Sequence, residues 1–144
     1  MKIKILAFIV ILSISGCSQS NKKFNVRTAD FSSASDQDLC MTYGHRANRS
    51  TEAKLELISR DIFSQREWKL IDERKLESGM SECAVYSAYY INYKKIRFSK
   101  NKNKELIHKE LIYSCEDKKV PYCPYTSVII KDGKIDSIDV KREI

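Results

Sequence analysis

Cysteine and histidine are the residue types in this chain that could carry chemistry, as metal ligands, as nucleophile and base, or as disulfides. The 144 residues include two histidines and five cysteines, namely Cys17, Cys40, Cys83, Cys115 and Cys123. Structural zinc sites use closely spaced ligand pairs, but no Cys-x-x-Cys pair occurs and the two histidines have no ligand-like spacing. We therefore expect no metal site, and we expect the cysteines to be paired or modified.

The chain lacks the patterns that usually accompany catalysis. His45 lies in a polar turn, His108 lies beside Lys109 and Glu110 on a presumed strand, and neither has a recognisable nucleophile partner. The four glycines are too scattered for a phosphate-binding loop, and no Gly-x-Ser-x-Gly or His-Glu-x-x-His pattern occurs. The sequence predicts a protein that is not an enzyme, holds no cofactor and has no evident small-molecule substrate.

The N-terminus has the pattern of a secretory signal peptide. Lys2 and Lys4 precede the apolar run Ile5 to Ile14, and small residues follow. This run is too short to cross a bilayer, which needs about 20 apolar residues. A basic start and small exit residues are typical of a cleaved leader. Residues 1–16 are therefore predicted to be a signal peptide that is removed.

The quartet Ile14-Ser15-Gly16-Cys17 resembles the lipobox of bacterial lipoproteins. The resemblance implies that Cys17 is lipidated and becomes the mature N-terminus, so that acyl chains anchor the protein to a membrane. Ser18 rather than Asp follows the cysteine. In that family this implies the outer membrane, with the body facing the periplasm, ahead of the inner membrane. The competing interpretation is an ordinary secreted protein in which Cys17 has no role.

Residues 17–34 are predicted to be a lipidated, flexible tether, and residues 35–144 a single folded domain. Phe24, Val26 and Phe31 are isolated apolar residues in the tether, so no helix or strand period emerges there. The sequence leaves open whether Phe24 or Phe31 docks onto the domain.

Four short helices are expected in the first half of the domain. Ser35 is a suitable N-cap for the first helix, which Gly44 ends, and Ser50 or Thr51 can begin the second. In the second helix an apolar repeat at i, i+3 and i+7 predicts the core side, and charged residues fill the other positions. The inward residues would be Leu55, Ile58 and Ile62, and the residues facing water Glu52, Lys54, Glu56 and Arg60.

The third and fourth helices carry their own start signals. Residues Ser64 to Glu67 match a capping box, and Trp68 and Ile71 supply the buried side of the third helix. Ser81 can cap the fourth helix, whose small residues permit close packing. We expect this last helix to be buried on nearly all sides.

Two segments of the helical half, Leu39-Cys40 and Gly79 to Val85, resemble small proteobacterial lipoproteins of unassigned role. The Gly-Met-Ser turn within the second segment is also distantly similar to that of the SmpA-like barrel-assembly lipoprotein family. The resemblance implies an α+β fold and a place in the cell envelope.

The second half of the domain shows strand patterns. Runs of β-forming residues lie at Ile96 to Phe98, Leu106 to Cys115 and Ser127 to Ile130, and Asp132-Gly133 is a strong two-residue hairpin signal before a further strand. Helices followed by strands predict an α+β fold. We expect the short N-terminal helices to pack on one face of a small C-terminal antiparallel sheet of three to four strands.

With Cys17 assigned to lipid, four cysteines remain, an even number in a compartment that permits disulfides. We predict the pair Cys40–Cys83, because both residues would lie on helices of one layer. We also predict the pair Cys115–Cys123, because these residues flank a short connection between strands.

Positive charge is concentrated in one part of the chain. The whole sequence has a net charge of +7, and residues 94–119 contain nine basic and four acidic side chains. We expect anionic headgroups or an acidic protein surface to contact the basic residues of the first strand and its turn, which are Lys94, Lys95, Arg97, Lys100, Lys102 and Lys104. A merely solvated hairpin is the alternative, and nucleic acid is not expected outside the cytoplasm.

These features predict a lipid-anchored periplasmic binding or scaffolding lipoprotein of the bacterial cell envelope, at the outer membrane, with an envelope protein or anionic headgroups as its partner. The alternative is a lipid-anchored protein inhibitor or exclusion factor that acts on an enzyme or on an incoming element.

Overall fold

The computed structural model describes residues 24–114 and 125–142. Within these ranges a short 3-10 helix at Phe31–Ser33 precedes four α-helices and four β-strands. Their bounds are Asp36–Gly44 (α1), Ser50–Ser59 (α2), Gln65–Asp72 (α3), Glu82–Tyr89 (α4), Tyr93–Lys100 (β1), Leu106–Tyr113 (β2), Tyr125–Lys131 (β3) and Lys134–Lys141 (β4). The chain is an α+β protein whose helices precede its sheet, as the sequence predicts.

The four strands form one antiparallel sheet in the order β1-β2-β3-β4, so each strand pairs with its neighbour in the sequence. Asp132 and Gly133, which join β3 to β4, have φ angles of 49° and 74°. Positive φ at both central residues belongs to the tight hairpin turn for which Asp-Gly is favoured. In this topology the β1–β2 and β3–β4 turns lie at the same end of the sheet.

One face of the sheet packs against the helices. Leu111 and Tyr113 of β2, Val128 of β3 and Ile135 of β4 are buried in one core cluster with residues of all four helices. Leu111 and Val128 are directly opposed across the β2–β3 ladder, and opposed residues share a face. The helices therefore form a layer on one face of the sheet, in agreement with the prediction.

Three helices begin where their side chains indicate. The hydroxyl oxygens of Ser35 and Ser81 accept hydrogen bonds from backbone N–H groups in the first turns of α1 and α4. At α3 the predicted capping box is complete, and the Ser64 N–H donates to Glu67 Oε2 at 2.9 Å. These bonds satisfy N–H groups that have no partner within a helix.

Helices α1 and α4 pack at very close range. A Cβ atom added at Gly44, the last residue of α1, would overlap the backbone carbonyl oxygen of Tyr86 in α4. Only glycine permits the two backbones to approach this closely. Every residue of α4 from Ala84 to Ala88 is buried, as expected for a helix surrounded by other elements.

The predicted core side of α2 is wrong at Leu55 and Ile58, whereas Ile62, which follows the helix, packs partly buried against the core. Leu55 and Ile58 are 63% and 49% exposed, whereas Ala53 and Leu57 are fully buried. Ala53, Leu57 and Arg60 are spaced at i, i+4 and i+7, so they share one face of the helix. That face is turned inward because the Arg60 guanidinium finds backbone partners there, which a reading based on apolar residues alone does not anticipate.

Those partners belong to the segment that precedes α1. The Arg60 guanidinium donates to the carbonyl oxygens of Phe31 and Ala34, each at 2.8 Å, and Arg49 donates to those of Val26 and Ala29 at 3.0 and 2.8 Å. The Phe31 side chain is buried in the core cluster. Of the two possibilities that the sequence leaves open, docking onto the domain therefore holds for residues 24–34.

Candidate functional site

The predicted cysteine sites fall partly within the described residues. Cys40 of α1 and Cys83 of α4 form a disulfide, with their Cα atoms 5.5 Å apart. This confirms one predicted pair and links the two helices that meet at Gly44. Cys17 and the pair Cys115–Cys123 lie outside the described residues, so the lipidation site and the second disulfide stay predictions.

Several charged side chains of the helical half of the domain belong to one polar cluster between the helices. The Asp72 carboxylate accepts hydrogen bonds from the Tyr43 hydroxyl and, at 2.9 Å, from Lys54 Nζ. Burial opposes ionisation of Asp72, but these hydrogen bonds outweigh it and lower its pKa. Arg46 lies over the Tyr43 ring at 3.8 Å and donates to the Ser87 carbonyl oxygen at 3.1 Å. The cluster joins the four helices, and the Asp72 carboxylate is the ion-pair partner of both Lys54 and Arg46.

Most basic residues of β1 and its turn lack the internal partners that the basic residues of the polar cluster have. Lys94, Lys95, Lys100, Lys102 and Lys104 are exposed. Within the described part of the chain, none of these five lysines forms an ion pair. We call these five residues the basic hairpin surface. Their charges are available to a partner.

Arg97, the sixth residue of the predicted contact set, is engaged inside the protein. Its Nη1 donates to Glu110 Oε2 at 3.1 Å, the Ser127 hydroxyl donates to Glu110 Oε1 at 2.6 Å, and Lys141 also donates to Glu110 Oε1. Arg97, Glu110, Ser127 and Lys141 belong to β1, β2, β3 and β4 respectively. The group therefore connects all four strands, on the face of the sheet away from the helices.

Glu110 is only 7% exposed. Burial opposes its ionisation, but the hydrogen bonds from Lys141, Ser127 and Arg97 outweigh this effect and lower the pKa of Glu110 to about 2. Glu110 is therefore ionised at every physiological pH. The role of Arg97 in holding this carboxylate separates it from the five unpaired lysines.

The turn between β1 and β2 is fixed by one side chain, that of Asn101. Its Oδ1 accepts hydrogen bonds from the backbone N–H groups of Asn103 and Glu105, each at 2.9 Å. Its Nδ2 donates to the Glu105 carboxylate at 2.6 Å, and its backbone N–H donates to the Glu105 carbonyl oxygen at 2.9 Å. Lys102 and Lys104 are thus carried by a turn that is ordered by its own hydrogen bonds.

The end of this hairpin also exposes large apolar side chains. Phe98 is 56% exposed, Leu106 is 54% exposed and Ile107 is 44% exposed. Sequence reasoning did not single out this group. The available signal was at the start of β2, where Leu106 and Ile107 are consecutive apolar residues, whereas a half-buried strand alternates apolar and polar residues.

A cavity of 280 Å³ lies at the C-terminal end of α1, and sequence reasoning does not find it because its walls come from separate segments. The rings of His45 and Tyr90 meet there edge to face, with centroids 4.8 Å apart. Tyr90 has a φ angle of 59°, a strained backbone conformation for a residue other than glycine. The lining is mainly apolar and includes Phe24, Val26, Met41 and Ile91.

Neither metal binding nor membrane spanning is visible in residues 24–114 and 125–142. Within these ranges no group of three or more His, Cys, Asp or Glu side chains could hold a metal ion. No helix in the same ranges is long and apolar enough to cross a bilayer.

The fold and the hairpin define a small α+β protein, with a disulfide in its helical layer and a basic, partly apolar hairpin at one end of its sheet. Comparison of the chain with protein-family models, with curated proteins and with solved structures finds no match. The assignment of function therefore depends on the residues themselves.

Proposed function

We propose that the protein is a lipid-anchored binding or scaffolding lipoprotein of the bacterial cell envelope, held at the outer membrane through Cys17 with its domain facing the periplasm. The signal-peptide pattern and the lipobox-like quartet support the anchor. The Cys40–Cys83 disulfide supports an oxidising compartment. In this proposal the domain acts by contact, and no catalytic step is assigned to it.

The observation that carries the binding role is the basic hairpin surface. Several other basic residues are matched internally: Arg60 pairs with Asp36 at 2.8 Å, and Lys109 pairs with Glu82. The five lysines of the basic hairpin surface have no such partner in the described residues. A group of like charges attracts anionic partners and speeds their association. An anionic membrane surface or an acidic protein would supply the missing counter-charge.

The anchor is tested by replacing its cysteine. Cys17→Ala is expected to move the protein from the membrane fraction to the soluble fraction, because the acyl chains supply the membrane affinity and each buried methylene contributes about 0.8 kcal/mol. Cell fractionation with a salt wash measures this change. Ser18→Asp is the matched control, which keeps the cysteine and is expected to stay membrane-bound at the inner membrane. A Cys17→Ala protein that resists the salt wash would show that lipid is not the main anchor.

The binding role is tested by crosslinking and affinity capture of the anchored protein from intact cells. Envelope-assembly components or lipid would support the proposal if Lys102→Glu with Lys104→Glu abolishes their capture. Capture of a hydrolase or of a foreign surface protein would instead assign the domain to inhibition or exclusion.

A further inference from the structure

We propose that the end of the β1–β2 hairpin is a membrane-contact site, which places Phe98, Leu106 and Ile107 into the interface of an anionic lipid bilayer. The inference rests on the proposed function, since it names lipid as the anionic partner of the same hairpin. We call residues Phe98 to Ile107 the hairpin tip.

The apolar side chains of the hairpin tip lie beyond the helical layer. Phe98 is directly opposite Lys109 in the β1–β2 ladder, so the two residues share a face. Lys109 reaches Glu82 of α4 on this face, whereas Phe98 and Ile107 remain about half exposed. Leu106 is opposite Lys100, and Ile107 lies at the register shift between this pair and the pair Ser99–His108. Single exposed apolar residues are common on proteins, but three within ten residues at the end of one hairpin form a patch.

Lysines surround this patch. Lys100, Lys102 and Lys104 belong to the hairpin tip itself, and Lys131 and Lys134 flank the neighbouring β3–β4 turn at the same end of the sheet. The two turns themselves contain the acidic residues Glu105, whose carboxylate accepts a hydrogen bond from Asn101, and Asp132. Glu82, whose backbone N–H donates to the Gly133 carbonyl oxygen, is paired with Lys109. This end of the sheet therefore has a positive excess around an apolar centre.

Lysine around an apolar centre fits a lipid surface better than it fits a protein. Lysine is depleted from protein–protein interfaces. At a bilayer, in contrast, aromatic and aliphatic side chains lie near the acyl chains while lysine stems extend to the phosphates. Juxtamembrane lysines gain energy from anionic lipids. The composition of the hairpin tip therefore favours lipid over an acidic protein.

The geometry of the turn favours insertion as a rigid unit. The Asn101 side chain fixes the backbone of residues 101–105 through bonds to two N–H groups. A contact that is already ordered loses less conformational entropy on binding. The hairpin tip can thus meet the bilayer without first being restructured.

Vesicle binding tests the proposal on the mature chain, residues 17–144, with Cys17→Ala. Neither the apolar leader nor an acyl anchor then contributes, and each variant is compared within one background. Vesicles of phosphatidylethanolamine and phosphatidylglycerol are compared with vesicles of phosphatidylcholine alone. Lys102→Gln with Lys104→Gln is expected to lower partition onto the anionic vesicles on the order of 30-fold, about fivefold for each lysine. Phe98→Ser with Ile107→Ser is expected to lower it by about tenfold or more.

Leu55→Ser is the matched control, because Leu55 is as exposed as the hairpin residues but lies on α2. It is expected to leave partition unchanged. A second measurement uses Phe98→Trp, which keeps an apolar ring, in vesicles with brominated acyl chains. Its added fluorescence is expected to be quenched on binding, whereas the native Trp68 in the helical layer is not.

Each outcome has a defined meaning. Equal partition onto the two vesicle types would overturn membrane insertion of the hairpin tip. Equal partition of the Leu55→Ser control and of the double variant Phe98→Ser with Ile107→Ser would overturn it too. Absence of quenching in Phe98→Trp would also overturn it. None of these results affects the proposed anchor, which fractionation of Cys17→Ala tests in cells. Conversely, if fractionation contradicts the proposed anchor, the vesicle measurement remains valid, because that measurement does not use the acyl chains.

Discussion

Glu110 offers the sharpest test of what holds the sheet together. The change is Glu110→Gln, which keeps the size of the side chain and removes its charge. The carboxylate is buried on the outer face of the sheet and accepts hydrogen bonds from side chains on each of the other three strands. A glutamine can keep the bond from Ser127 but not the charge-assisted bonds from Arg97 and Lys141.

The pKa of Glu110 sets the size of the expected effect. Lowering it from the ordinary value of 4.5 to about 2 corresponds to about 3 kcal/mol of stability at neutral pH. Because the folded state favours the ionised carboxylate, this stability is fully present above pH 4.5 and is lost as the pH falls toward 2. We therefore expect Glu110→Gln to lower the free energy of unfolding by about 2 to 3 kcal/mol at pH 7, and by much less near pH 2.

Denaturant unfolding of both proteins across this pH range measures the difference. Glu73→Gln is the control, because Glu73 pairs with Lys75 on the surface, where an ion pair contributes at most about 1 kcal/mol. A Glu110→Gln protein as stable as the parent at pH 7 would refute the reasoning. So would a stability difference that stays constant from pH 7 to pH 2, because it would show that the charge of Glu110 is not what stabilises the sheet.

Two further predictions concern the contact between α1 and α4. Gly44→Ala is expected to lower the free energy of unfolding by about 3 kcal/mol, because its methyl group would overlap the Tyr86 carbonyl oxygen; an unchanged denaturation midpoint would contradict this close contact. Replacing Cys40 and Cys83 together by alanine is expected to cost about 4 kcal/mol, since the disulfide closes a sequence separation of 43 residues. Non-reducing peptide mapping should show the Cys40–Cys83 crosslink directly, and free thiols at both positions would contradict it.

The features that could be predicted from the sequence are those that depend on neighbouring residues. Ser35, Ser64 and Ser81 begin helices because each hydroxyl bonds to an N–H group three residues ahead. Asp132-Gly133 forms a hairpin because the two residues tolerate positive φ. The order of these local signals was sufficient to predict an α+β fold.

The features that could not be predicted depend on partners distant in the chain. Arg60 turns inward because it meets carbonyl groups more than 25 residues away, and that contact decides which side of α2 is exposed. Sequence reasoning grouped Arg97 with the exposed lysines. Nothing local indicates that Arg97 and the distant Lys141 share Glu110 as their partner. The basic hairpin surface was visible in the sequence, whereas the apolar patch beside it depends on where the helical layer ends.

The docked N-terminal segment limits how far the domain can move from its proposed anchor. A chain from Cys17 to the predicted domain start at Ser35 could extend on the order of 60 Å. Because the segment is attached from Phe24 onward, the chain from Cys17 to this attachment can extend at most about 25 Å. With Cys17 lipidated as proposed, the bilayer would be present at a high effective concentration around the domain. A hairpin with weak affinity for lipid could then stay bound for most of the time.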